Sequence, residues 1–223
     1  MQLDFKSREL TIKLVYYGPA LSGKTTNLQS IHQLVAGEVA GRLMTLETKD
    51  DRTLFFDLLP LTLSSENGLQ VRVKLFTVPG QVIHNATRRL VLRGADGVAF
   101  IADSQRSETK ANASSFVNLR KNLKDNGLDP TKMPLVIQFN KRDLEDIRTD
   151  AEIDALSARG NEPVFKATAI RGIGVLETLL GLMEMTWKHL EAEHQLEAKF
   201  GVRTGPLIAE LEKHLGAKPG GSR

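Results

Sequence analysis

Gly18-Pro19-Ala20-Leu21-Ser22-Gly23-Lys24-Thr25 matches the pattern G-x-x-x-x-G-K-[ST], the loop that cradles nucleoside triphosphate phosphates. The apolar run Ile12-Lys13-Leu14-Val15-Tyr16-Tyr17 before it reads as a strand, and a helical pattern begins near Thr25. Strand, glycine-bounded loop and helix start are the context the motif requires. Main-chain N–H groups converge on the phosphates, and the helix N-terminus adds partial positive charge. Lys24 is placed to reach the β- and γ-phosphates, and the Thr25 hydroxyl to bind Mg²⁺.

Outward from this loop, strand-like and helix-like segments alternate. The expected strands are 10–17, 42–47, 58–64, 70–77, 97–103, 134–140 and 163–168; the expected helices are 24–36, 82–93, 107–126, 150–158 and 174–194. Such alternation builds a mostly parallel sheet with helices on both faces. The pair Asn67-Gly68 is a hairpin signal, so 58–64 and 70–77 are expected to run antiparallel. Gly97 to Ala102 and Pro134 to Phe139 are continuous apolar runs that suit central strands buried on both faces. Past residue 195 the pattern changes. A break at 201–206 precedes a short amphipathic helix over 207–215, whose apolar face can fold back, self-associate or dock on a partner, folding back being the default, and then a disordered tail. The expected division is 1–194 for the nucleotide-binding domain and 195–223 for an extension.

With 223 residues and 41% hydrophobic content, the chain suits one α/β domain with extensions, or at most two small ones. It has no cysteine, which fits a reducing cytoplasm and excludes thiolate metal sites and prenyl or palmitoyl anchors. No apolar run approaches the roughly 20 residues of a membrane span, and no signal-peptide core or myristoylation glycine is present. A net charge of +3, with basic and acidic residues interleaved, argues against nucleic acid as a partner.

Asn140-Lys141-Arg142-Asp143 follows an apolar strand, where doubly wound sheets bind ligands. Asp143 can accept two hydrogen bonds from the N1–H and N2–H₂ edge of guanine. Adenine lacks that pair and would leave the carboxylate unsatisfied. The stem of Lys141 can pack on the base plane. After the last strand, main-chain N–H groups of Thr168-Ala169-Ile170 can reach the guanine O6. Gly80-Gln81 follows the strand 70–77. Gly80 lets its N–H approach a γ-phosphate, and Gln81 can orient the attacking water.

These motifs together resemble the Ras-like small GTPases, and more closely the bacterial gliding and polarity GTPases of the MglA type. The residues that carry the likeness are Tyr16-Tyr17-Gly18-Pro19, Gly23-Lys24-Thr25-Thr26-Asn27-Leu28, Asp51-Arg52-Thr53-Leu54-Phe55-Phe56-Asp57, Thr77-Val78-Pro79-Gly80-Gln81, Ala102-Asp103-Ser104-Gln105 and Asn140-Lys141-Arg142-Asp143-Leu144. The likeness spans roughly residues 8–190 and implies a Ras-like P-loop fold: a mostly parallel sheet with one antiparallel strand. It implies GTP and GDP as ligands, contacted also by Pro19, Ala20, Leu21, Ser22 and Thr26. It implies Thr53 as a second Mg²⁺ ligand and Arg52 as an arginine finger in cis beside the catalytic Lys24 and Gln81. It further implies a molecular switch in polarity or motility, with effectors of the GTP state. Hydrolysis would be stimulated by a roadblock-fold partner, typically a dimer, and the protein would be cytoplasmic, recruited to a pole through partners.

Two departures bear on rate. Thr77 stands where most GTPases carry a metal-holding aspartate, and Ala20 stands where most carry glycine. Thr77 leaves the Mg²⁺ site with less negative charge and weaker metal binding, Ala20 points to slow intrinsic hydrolysis, and both support the alternative of a nucleotide-locked binding module with little turnover. A nucleotide kinase sharing the loop is disfavoured, since no arginine-rich lid is visible. Asp57 can assist the metal site but reads rather as a surface carboxylate, and Asp103 reads as a cap or loop-orienting residue. Trp187 reads as core, and His32, His84, His189, His194 and His214 as structural or solvated.

Overall fold

The computed structural model describes residues 1–4, 6–35, 37, 39–46, 56–64, 68–80, 84–201 and 204–215. Arg52, Thr53, Phe55, Gln81 and the hairpin residue Asn67 lie outside the described residues.

The strands are β1 (Gln2–Asp4), β2 (Glu9–Tyr17), β3 (Met44–Leu46), β4 (Phe56–Ser64), β5 (Gln70–Thr77), β6 (Gly97–Asp103), β7 (Leu135–Asn140) and β8 (Val164–Lys166). They form one sheet in the order β3-β4-β5-β2-β6-β7-β8, with β1 pairing on β2. Strands β5, β2, β6, β7 and β8 run parallel, whereas β3, β4 and β1 join antiparallel. The expected 58–64 and 70–77 pairing is present, with Leu61 opposite Val73. Strand β1 was not foreseen, because three residues are too few to show a period. It fills the stretch of β2 that β6 leaves uncovered, pairing Leu3 with Leu10.

Patterning follows position in the sheet. Every residue of β6 is buried, as a central parallel strand requires. β4 instead alternates, burying Asp57, Leu59, Leu61 and Leu63 on one face.

The helices are α1 (Lys24–Leu34), α2 (Asn85–Leu92), α3 (Thr109–Asp125), α4 (Asp150–Ser157), α5 (Val175–His194), α6 (Leu196–Phe200) and α7 (Thr204–Leu215). They cover both faces. Leu28 and Ile31 of α1 and Leu179, Met183 and Trp187 of α5 bury one face; Val91 of α2, Leu119 and Leu123 of α3 and Ile153 of α4 bury the other. Trp187 is wholly buried, as its helical spacing predicts.

The chain continues past α5 through α6, whose Leu196 is buried, into α7. Helix α7 packs back on α5 and β4, and its Ile208 rests on the core of that face. Among the described residues, no helix is long and apolar enough to cross a membrane.

Candidate functional site

The loop Gly18–Thr25 sits between the end of β2 and the start of α1. The helix begins at Gly23, which adopts φ 94° and offers no side chain to cap the first turn. The N-terminal amides of α1 therefore have no side-chain acceptor, and no acidic residue lies in the turn. A Cβ on Gly23 would come within 2.2 Å of Asn140 Nδ2, so only glycine lets the phosphate loop and the base loop approach this closely.

Lys24 is buried, and its ammonium donates to the carbonyls of Pro19 (2.6 Å) and Gly18 (3.2 Å). Desolvation pulls its pKa down to about 7; the neighbouring Arg88 lowers it further, and Asp57 acts in the opposite sense. Uncapped amides and a buried ammonium form a donor set suited to a polyanion. Leu21 holds φ 59° and is 87% exposed at the outer edge of the loop. Ser22 is buried beneath it, and Thr26 lines the same groove of about 530 Å³ as Leu21, Lys24, Thr77 and Gly80.

At one end of this groove lies a residue whose reading as a surface carboxylate the structure overturns. Asp57 is 6% exposed. Thr25 Oγ1 donates to its Oδ2 at 2.6 Å, Thr77 Oγ1 to the same oxygen at 2.9 Å and Thr45 Oγ1 to Oδ1 at 2.9 Å. The Asp57 N–H in turn donates to Thr77 Oγ1 at 2.8 Å. The cause is strand geometry. Asp57 shares the inward face of β4 with Leu59 and Leu61, and β4 lies antiparallel to β5, so the start of one strand meets the end of the other, where Thr77 stands. The carboxylate lacking at Thr77 is thus supplied from the neighbouring strand. One hydroxyl and one carboxylate at the edge of a polyanion cradle are hard oxygen donors of the kind a Mg²⁺ ion takes.

The base-side motifs converge on the phosphate loop. Asn140 Nδ2 donates to the Ser22 carbonyl at 2.9 Å, and Asn140 Oδ1 accepts from the Ala169 N–H at 2.9 Å. Lys141 holds φ 64°, a left-handed conformation uncommon for a non-glycine residue. Its ammonium pairs with Asp103 Oδ2 at 2.6 Å. Asp103 is itself fixed: Oδ1 accepts from the Gln105 N–H, and the Asn112 amide bonds both its N–H and its carbonyl. Asp103 therefore does orient a loop, and it also holds Lys141. Asp143 is exposed at the rim, Thr168 and Ala169 are buried, and Ile170 is exposed.

Gly80 lies directly against the phosphate loop. A Cβ there would stand 2.3 Å from Ala20 Cα and 3.1 Å from its Cβ. The structure thus brings together residues 18–26, Gly80 and Asn140 with Lys141, Thr168 and Ala169. Sequence reading missed Arg88, a buried arginine on α2 that donates to the Pro79 carbonyl and, by its other arm, to the Gly80 carbonyl. Its signal was slight, since Arg88-Arg89 looks like any solvated helix pair. Among the described residues no cluster of histidine and acidic side chains is disposed to hold a metal.

A phosphate-cradling loop at the C-terminal end of the β2 strand, facing a base loop after β7 in a mixed, mostly parallel sheet, defines a Ras-like P-loop nucleotide-binding protein. No protein-family profile matches the chain. It is 47% identical over 189 residues to the mutual gliding-motility protein MglA of Myxococcus xanthus (strain DK1622), covering 85% of this chain and 97% of that relative. The chain therefore belongs to the MglA-type small GTPases: it binds guanine nucleotide and hydrolyses GTP to GDP and phosphate.

Proposed function

We propose that this GTPase is a molecular switch in bacterial polarity or gliding motility, with slow intrinsic hydrolysis that a roadblock-fold dimer stimulates. The observation that carries slow turnover is the tight seating of Ala20 against Gly80, where a methyl group occupies space that most GTPases leave to glycine. Residues 1–194 form the GTPase domain and 195–223 an extension on it. The protein works in the cytoplasm and is drawn to a pole by its partners.

In this reading the amides of Gly18 and of residues 20–26, with the Lys24 ammonium, bind the β- and γ-phosphates. Asp143 reads the guanine edge, Lys141 lies on its face, and the N–H groups of residues 168–170 approach O6. Thr25, Thr53 and Asp57 hold Mg²⁺, Asp57 through its hydrogen bond to Thr25. That ion, when bound, would supply charge neutralisation for the phosphates. Gln81 orients the attacking water, and Arg52 stabilises charge on the transferring phosphoryl group.

The test is direct. Extraction of the purified protein should release GDP or GTP, and single-turnover hydrolysis should rise when a roadblock-type partner is added. Gln81→Ala and Arg52→Ala should each abolish that stimulation while leaving GDP affinity intact. A stimulated rate untouched by either change would remove the catalytic roles. It would favour the nucleotide-locked binding module, which Ala20 also supports.

A further inference from the structure

Arg88 is 1% exposed, among the most deeply buried large side chains of the described residues, and its hydrogen-bond partners are carbonyl and amide oxygens rather than a carboxylate. Burying a guanidinium without an acid is costly unless every donor is engaged. Here each of the three guanidinium nitrogens has an acceptor. Nε donates to the Pro79 carbonyl at 2.8 Å, one NH2 arm to the Gly80 carbonyl, and the NH1 arm to Asn118 Oδ1 at 3.0 Å. The guanidinium carbon also lies 5.4 Å from the centroid of the Tyr17 ring, one residue before the phosphate loop. Tyr17 donates in turn to Asn118 at 2.5 Å, and the Asn122 amide donates to Tyr17 and to Asn85. One buried polar cluster thus joins β2, α2 and α3 behind the γ-phosphate side of the groove.

The consequence follows from peptide geometry. The Pro79 carbonyl and the Gly80 N–H belong to one planar trans unit and point in opposite directions. A side chain that grips the carbonyl from behind therefore aims the N–H away from itself. One side of this glycine lies directly against the phosphate loop at Ala20. Because the guanidinium is a planar, rigid fork, it fixes two successive carbonyls in one set geometry, whereas an ammonium is a rotatable point charge on a flexible stem.

We propose that Arg88 is a positioning residue for the GTP state: from α2 it presets the Pro79–Gly80 peptide so that the Gly80 N–H faces the γ-phosphate. The inference rests on the assignment of Gly80 to that phosphate. GDP lacks the group, so the effect of Arg88 falls on GTP alone, whereas a merely structural arginine would move both nucleotides together.

The experiment compares Arg88→Lys and Arg88→Met with the unaltered protein. It measures the affinities for GDP and for a non-hydrolysable GTP analogue by fluorescent-nucleotide titration, and the melting temperature with GDP. For Arg88→Lys the GTP analogue should bind about tenfold or more weakly, the scale of a lost hydrogen bond to a charged group, with GDP affinity unchanged. Arg88→Met should enlarge that gap. An equal loss for both nucleotides, or no loss for either, overturns the proposal, and Arg88→Lys alone decides it should Arg88→Met fail to fold. Absence of any guanine-nucleotide binding by the unaltered protein would instead overturn the functional reading on which the proposal rests.

Discussion

Thr25 Oγ1 lies 2.6 Å from Asp57 Oδ2, which ties the first turn of the phosphate-binding helix to the antiparallel strand β4. A threonine hydroxyl that donates to a buried carboxylate keeps its lone pairs free for a cation. The charge that Thr77 cannot provide therefore enters from Asp57, one strand away. Asp57→Asn preserves shape and removes that charge. We expect the Mg²⁺ concentration needed to retain nucleotide to rise about tenfold or more, in keeping with a lost charge-assisted hydrogen bond. Release of fluorescent GDP during a Mg²⁺ titration measures it. An unchanged midpoint would show that the carboxylate serves only packing.

Asp103 and Lys141 form the second pair to test. Their contact of 2.6 Å holds a lysine in a left-handed backbone conformation beside the base loop. Asp103→Asn frees the ammonium and loosens the stem that covers the base. Dissociation of GDP should quicken by about tenfold, whereas preference for guanine over adenine should persist if, as proposed, Asp143 reads the edge. Stopped-flow chase with excess GDP, and again with ATP as competitor, separates the two effects.

Ala20 seats its methyl-bearing carbon under Gly80, where an added Cβ would stand 2.3 Å away. Ala20→Gly removes the methyl and relaxes the approach of the two loops. Misplacement of reacting groups by about 1 Å can cost roughly 10²-fold in rate. Single-turnover phosphate release from Ala20→Gly should therefore be about tenfold or more faster than from the unaltered protein.

Helix α7 covers β4 and α5 through Ile208. Ile208→Asp sets a carboxylate against apolar surface and forfeits roughly 1–2 kcal/mol of partial burial. In a domain of this size that lowers the melting temperature by about 2–8 °C. Differential scanning calorimetry with GDP bound reads the shift.

The fold was legible wherever period or punctuation is strong. The apolar runs of β6 and β7 and the Asn67-Gly68 hairpin signal set strand identity and direction, and helical spacing located α5 and Trp187. The short pieces were not legible. Three residues of β1 and five of α6 carry no measurable period, and their existence depends on surfaces assembled from distant segments. In the site, the contiguous motifs were readable because the chain itself brings their residues together. Asp57 and Arg88 were not, since each acts across a strand or helix interface. Asp57 reaches Thr25 over 32 positions, and Arg88 reaches Asn118 over 30. A carboxylate or guanidinium in isolation reads as solvated surface.

The single amide of Asn140 holds the carbonyl of Ser22 on one side and the N–H of Ala169 on the other. The phosphate loop, the loop after β7 and the segment after β8 are thereby stitched together in the folded chain, and their ordering entropy is spent before any ligand arrives. Capture then needs little rearrangement, so lifetimes rather than encounter rates distinguish one ligand from another. A change that releases the Asn140 amide would slacken all three segments at once.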